Sequence, residues 1–339
     1  MATIMATKRL ASPRRQGGMA LLVVLLILSV MVIIASNMSG RLQLELRRTA
    51  NITTGKQAWW YAMSAEALVR KVLAQDFKDN PDVVNLSQNW ARKNSVFPVD
   101  DGILRGEISD LQACFNLNSL SLATKEGVDG DDLAQQPYPV QVFRELLKQL
   151  AMEEYEAAQL TDAIRDWTDK DTVLVSSLGA EDAYYEGLSP PYLTANQWLL
   201  GKDELRAVRG VSARVYAKLA PYVCALPNNS LKLNINTLDP ERPELLSALF
   251  LGKVGQDDVK RILKDRPKKG WKEPKLMTEQ LGQVDLGKEQ QGAMVVKSDY
   301  FEAKMVAEVG DNRAWLETLF HRGKDNQLIT LRRLSGGAE

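Results

Sequence analysis

The chain has 339 residues, 45% hydrophobic and 25% charged, enough to bury ordinary cores in more than one domain, which excludes a disordered polypeptide. Its 43 basic residues balance 43 acidic ones, so no global field draws it to nucleic acid and any charged partner is met locally. With His321 as the single histidine, a Ser-His-Asp arrangement or a zinc site lacks its parts.

At the amino end, Lys8, Arg9, Arg14 and Arg15 lead through Gly17-Gly18 into an uncharged apolar run from Met19 to about Asn37. At roughly 1.5 Å per residue this run reaches roughly 28 Å, one bilayer hydrocarbon core. The basic leader favours a cytoplasmic amino end, although Arg41, Arg47 and Arg48 beyond the span weaken the contrast. A secretory signal is cut after its apolar region, at small residues; here the small residues come first. A cut before the run would leave the span on the mature chain.

Helical character continues past Gly40, with Leu68, Val72 and Leu73 on one face, so a single helix is predicted to about Asp76. Gly55-Lys56 lacks the upstream glycine and the following Ser/Thr of a phosphate loop, and Trp59, Trp60 and Tyr61 read as core or interface. Pro81, Asn85 and Pro98 mark loop, and Asp100-Asp101-Gly102 reads as a turn into a strand from Ile103 to Ile108. Cys114 and Cys224 form an even pair; in an exported domain they read as a disulfide closing a loop of about 110 residues, the alternative being two buried thiols.

The middle of the chain carries an echo: Phe115-Asn-Leu-Asn-Ser-Leu120 returns as Leu233-Asn-Ile-Asn-Thr-Leu238. Each copy precedes an apolar helix (143–150; 245–251) and a second helix (161–167; 257–264), so two related helical units are predicted. Asp166 and Asp169 share a helix face at i, i+3, with Asp171, Glu181 and Asp182 on the loop that leaves it. Such crowding suits either a hard divalent cation or a solvated acidic loop. Leu205 to Ser212 with Tyr216 to Tyr222, and again Val259 to Lys275, resemble helix-hairpin-helix units. Ser212 stands where a second hairpin glycine would let the backbone approach phosphate, so protein packing is the expected use. Segments 300–306, 313–320 and 328–331, separated by Gly310-Asp311-Asn312 and Gly323-Lys324-Asp325-Asn326, read as a strand meander that completes the sheet begun near 103.

The glycine junction and the retained span resemble the type IV pilin and type II secretion pseudopilin family, whose dedicated peptidase cleaves after glycine and methylates the new amino terminus. That resemblance makes Gly18 the last leader residue and Met19 the first mature one. Most members carry glutamate at mature position five; here it is Val23, a departure similar to the minor pseudopilins of the protein K family of the general secretion pathway. The inserted helices and the Asp-x-Asp and Gly-Ala-Glu-Asp pair extend the resemblance over nearly the whole chain. The implied fold is α+β: a type IV pilin-like fold with a long membrane helix and a small antiparallel sheet, carrying a duplicated SAM/helix-hairpin-helix-like α-helical insert. The expected boundaries are 1–18 for the leader, 19–40 for the transmembrane part, 41–117 for the first part of the head, 118–285 for the insert and 286–339 for the closing strands.

The resemblance also implies calcium at some of Asp166, Asp169, Asp171, Glu181 and Asp182, and a single-pass inner-membrane protein with a periplasmic carboxy-terminal domain. Implied partners are the I- and J-type minor pseudopilins, the major pseudopilin, prepilin peptidase and the inner-membrane assembly platform. In this family the position-five glutamate is thought to neutralise the terminal ammonium of the subunit ahead, and an ionised group in an apolar bundle is expensive unless paired. Val23 has nothing to offer such a neighbour, which places the subunit at the pseudopilus tip, promoting assembly and export. An anchored periplasmic DNA-uptake protein and an anchored hydrolase using the acidic cluster are the competing readings.

Overall fold

The structure, a computed structural model, describes residues 18–93, 95–123, 132–282 and 284–336; the basic leader residues lie outside these. In chain order, helix α1 (Met19–Asp79) is followed by strands β1 (Ser95–Val99), β2 (Gly102–Asp110) and the two-residue β3 (Phe115–Asn116). Helices α2 (Tyr138–Gln149), α3 (Glu154–Thr168), α4 (Asp182–Tyr185) and α5 (Ala213–Leu219) precede β4 (Val223–Cys224) and β5 (Leu233–Asn234). Helices α6 (Glu244–Leu249), α7 (Gln256–Lys264), α8 (Pro274–Thr278) and α9 (Lys288–Ala293) lead to β6 (Met294–Val295), β7 (Tyr300–Val309), β8 (Asn312–Arg322) and β9 (Leu328–Ser335).

Contacts divide the chain into two units, Met1–Gln57 and Ala58–Glu339. Within the first, every described residue from 18 to 53 is exposed, and the helix has a mean hydropathy of 3.1 over its most apolar stretch, long and apolar enough to cross a membrane. Two of its polar side chains turn back onto the helix, which spares those donors in hydrocarbon: Ser29 donates to the Leu26 carbonyl (2.8 Å) and Asn37 to that of Ile33 (2.9 Å).

In the second unit, Ala58, Ala62, Ala65, Val69, Leu73 and Phe77 form a buried stripe along α1 at helical spacing. They share one core with alternate residues of β7, from Phe301 to Val309, and Phe77 lies 5.3 Å from the Phe301 ring. The five strands run antiparallel in the order β1-β2-β7-β8-β9, so residues 95–110 are joined to 300–335 by the register from Gly102↔Val309 to Asp110↔Phe301. The hairpins close where the turn residues predict: Val99 pairs with Gly102 across Asp100-Asp101, and Val309 with Asn312 across Gly310-Asp311. Pro98, read from sequence as loop, lies within β1. That strand is at the sheet edge, where a missing N–H need not break a ladder. Tyr61 donates to the Asp100 carbonyl (3.2 Å), whereas Trp60 is 67% exposed.

Residues 115–295 lie outside this sheet and build a separate core around Phe115, Phe143, Leu160, Leu233, Phe250 and Trp271. The sequence echo recurs here as matching hydrogen bonds. In the first copy the Asn116 side chain accepts from the Asn118 N–H, and Asn118 grips one residue twice, accepting from the Leu199 N–H (2.8 Å) and donating to its carbonyl (2.9 Å). In the second, Asn234 accepts from the Asn236 N–H, and Asn236 grips Trp271 in the same way (2.8 and 2.9 Å). A side-chain amide has the donor and acceptor of a peptide group, which is why asparagine serves at both places. The next hydroxyl is placed alike, Ser119 donating to the Asn116 carbonyl and Thr237 lying 3.1 Å from that of Asn234, though Thr237 has the closer acceptor in the buried Asp110 carboxylate (2.6 Å). Each copy is closed by a two-residue parallel ladder, β3 with β4 and β5 with β6. The Cys114–Cys224 disulfide staples the first of these, with Cα atoms 5.8 Å apart.

Candidate metal centre

Helix α3 begins with Glu154 and Glu156 in its first turn, where the helix dipole favours anions. Asp166 lies in its last turn and Asp169, expected on the same helix face, is instead the extended residue just past its end; the dipole opposes both carboxylates there. Asp166 is fully buried and bridges the returning loop: one oxygen accepts from the Val175 N–H (2.8 Å) and the other from that of Ala180 (2.7 Å). Ser176 is held in turn by Asp162 (2.6 Å). This folding brings Glu181 back to the helix end, so Asp166, Asp169 and Glu181 place ligand oxygens within 4.8 Å of one another.

Glu181 is only 6% exposed, yet neither of its oxygens makes a well-formed hydrogen bond, the Thr194 hydroxyl being a nearby donor without the geometry for one, and one Asp169 oxygen is likewise unsatisfied. Burial pushes the Glu181 carboxyl up to about 7, with repulsion from Asp166, Asp169 and Asp182 adding to it. Asp169 is pushed up to about 6 by burial and then by Asp171 and Asp166, and burial also raises Asp166. A buried carboxylate with no well-formed hydrogen bond is costly unless a cation or a proton neutralises it. Three convergent oxygens with no nitrogen or sulfur ligand suit a hard divalent cation rather than a transition metal.

Of the five acids singled out from sequence, three converge and two do not. Exposed Asp171 accepts from the Val173 N–H (2.9 Å), forming a turn, and Asp182 accepts from the Thr194 N–H (3.0 Å), pinning the following loop. Behind the site, Trp167 lies 5.2 Å edge-on to Tyr185, which is 5.3 Å from Tyr192. The sequence reading missed Asp162, whose partner is a serine 14 residues away, and the closeness of Gly179 to Asp166, where an added Cβ would lie 2.0 Å from a carboxylate oxygen.

The helix-hairpin-helix-like segments are used for packing. The Gly210 turn lies against Gln159 and Leu160 of α3, and Gly270 lies so close to Asn236 that a Cβ would approach its side chain to 2.6 Å. His321 stacks on Tyr300 at 4.8 Å.

The chain matches family models described as type II secretion system (T2SS), protein K, over residues 113–228 and 233–297. It is 72% identical over 329 residues to the type II secretion system protein K of Aeromonas hydrophila, covering 97% of this chain and 99% of that one. This chain belongs to the type II secretion system protein K family. More distant protein K relatives cover nearly as much: that of Pectobacterium carotovorum subsp. carotovorum is 39% identical over 95% of this chain and 97% of its own. The protein K of Pseudomonas aeruginosa is 33% identical over 95% of this chain and 94% of its own. Among solved structures, the GspK-GspI-GspJ complex from the enterotoxigenic Escherichia coli Type 2 Secretion System matches with a TM-score of 0.76 and 32% identity, over 86% of this chain and 100% of that chain. The α+β architecture, with its long apolar helix, antiparallel sheet and helical region, is thus that of protein K, a structural component of the secretion machinery.

Proposed function

We propose that this protein K is a minor pseudopilin that caps the pseudopilus of its secretion system. It joins the I- and J-type minor pseudopilins there, and its place at the tip promotes assembly and export of folded periplasmic proteins. The observation that carries the reading is Val23 on an α1 segment with no charged residue from Met19 to Gly40. A membrane bundle tolerates an unpaired ammonium poorly, and this helix offers no carboxylate to a subunit ahead of it, so none should stand there. Similarity to the GspK-GspI-GspJ complex supports the choice of partners. Prepilin peptidase would cut after Gly18 and methylate Met19. The chain would then sit in the inner membrane with the residues beyond the span in the periplasm, meeting the assembly platform and the major pseudopilin. Immunogold labelling of overproduced pseudopili should mark one end only, and label distributed along the shaft would refute the cap. The processed amino terminus should be methylated Met19, and Gly18→Ala should abolish its appearance.

Calcium is the cation proposed for the acidic centre, with Asp166, Asp169 and Glu181 as its side-chain ligands. It would neutralise carboxylates that otherwise repel and would tie α3 to the loop that returns to it. Isothermal titration of the full chain in detergent should show calcium binding, and excess EDTA should lower the melting temperature. A chain indifferent to both would refute calcium.

A further inference from the structure

The cation site depends on one peptide group, that between Gly179 and Ala180. Its N–H donates to Asp166 (2.7 Å), and its carbonyl accepts from the Arg209 guanidinium (2.9 Å). The peptide is trans, so its N–H and C=O point to opposite sides: Asp166 holds it from one side and Arg209 from the other. The next residue is Glu181, whose carboxylate is buried, makes no well-formed hydrogen bond and lies among the other two ligands. Turning the 179–180 plane would therefore release Asp166 and swing Glu181 together.

Arg209 is itself fixed at three points. Its guanidinium lies 4.6 Å over the Tyr184 ring, its own N–H donates to the Tyr185 hydroxyl (3.2 Å), and the adjacent Gly210 takes a φ of +86°. It belongs to the turn between the 202–207 helical turn and α5, an element distant in sequence from both limbs of the acidic site. A cationic donor on a carbonyl also polarises the peptide, strengthening the N–H bond that Asp166 accepts. Gly179 is required at this clamp because any Cβ there would strike the Asp166 carboxylate.

We infer that Arg209 is a positioning residue of the cation site: by holding the 179–180 peptide it aims Glu181 at the ion, and it joins ion binding to the packing of the α5 turn. The inference rests on the calcium reading above. It is tested by isothermal titration of calcium into the full chain in detergent, alongside hydrogen exchange at the Ala180 amide. Arg209→Met should weaken calcium binding by about tenfold or more, the range expected when the support of a metal ligand is lost. It should also speed exchange at Ala180. Arg209→Lys, which retains one charged donor, should fall between Met and wild type, and it carries the test if Arg209→Met does not fold. Tyr184→Leu removes one support of Arg209 but leaves the carbonyl bond, and should weaken calcium binding by less than Arg209→Met does. If wild type binds calcium and the Arg209 variants bind it equally tightly, the positioning role is overturned while the calcium reading stands; if wild type binds none, both fall.

Discussion

Glu66 supplies the sharpest test of how α1 is held to the sheet. It is 4% exposed, and its two oxygens accept from Arg333 through a bidentate pair (2.6 and 2.8 Å), from Arg70 (3.3 Å), and from the hydroxyls of Thr318 (3.2 Å) and Thr330 (3.3 Å). Glu66→Gln retains the shape but turns an acceptor-only group into one with an NH2 that faces donors. Breaking a fully buried pair costs about 3–5 kcal/mol, but the Arg333 and Arg70 side chains are 47% and 38% exposed and can be rehydrated. Discounting for that, and adding the buried Thr318 hydroxyl left without its acceptor, gives about 2–3 kcal/mol, or roughly 5 °C in melting temperature.

The Arg333 guanidinium, first through its hydrogen bonds, holds the Glu66 carboxyl below its ordinary 4.5. A lowered folded value means the carboxylate stabilises the fold above the unfolded value and loses that contribution as pH falls through the folded one. Thermal melts of wild type and Glu66→Gln in detergent should therefore differ at pH 7 and converge toward pH 2. A double-mutant cycle with Arg333→Met should show coupling of about 1 kcal/mol or more. A gap under about 1 °C at pH 7, or one that persists unchanged to pH 2, would refute the argument.

Reducing the Cys114–Cys224 disulfide, which closes a separation of 110 residues, should destabilise the fold by up to about 4–5 kcal/mol, and denatured unreduced protein should titrate with no free thiol; a count of two would refute the bridge. Gly179→Ala should cost about 1–3 kcal/mol through overpacking on Asp166, read as a lower melting temperature in EDTA. Because Asp169 and Glu181 are raised to about 6 and about 7 from ordinary values of 3.8 and 4.5, the metal-free fold binds extra protons between those limits. Its stability should fall as pH rises from 5 to 8, by on the order of 1–2 kcal/mol once solvent screening is allowed for. The Asp169→Asn/Glu181→Gln variant should lack that part of the slope, and an identical slope would count against the centre. Asn118→Ala and Asn236→Ala should each cost about 2–3 kcal/mol in chemical denaturation, since each strands a buried peptide N–H and C=O; a large loss in one copy and none in the other would break the equivalence of the two units.

Features set by neighbours in sequence were legible without the structure. The uncharged run from Met19, the helical spacing that carries α1 onward, the turns at Asp100-Asp101 and Gly310-Asp311, and the paired Asn motifs all follow from local sterics or hydrophobic periodicity. The acids of the candidate site were legible as a group because they cluster at one predicted helix end, although the helix stops at Thr168 and Asp169, expected on its face, is the extended residue that caps it. Their final set was not. Whether Glu181 or Asp182 turns inward depends on the 179–180 peptide, whose orientation is held by Asp166 and by an arginine 30 residues away. Likewise Pro98 belongs to a strand only because β1 lies at an edge, and Glu66 is an acceptable buried charge only because Arg333, 267 residues later, arrives on β9. By itself the sequence determined the membrane-length span, the long helix and the main strands of the closing meander, through short-range sterics and hydropathy. The partners of the buried polar groups were decided by the tertiary structure alone, because desolvation and hydrogen-bond satisfaction depend on what long-range folding brings within about 3 Å.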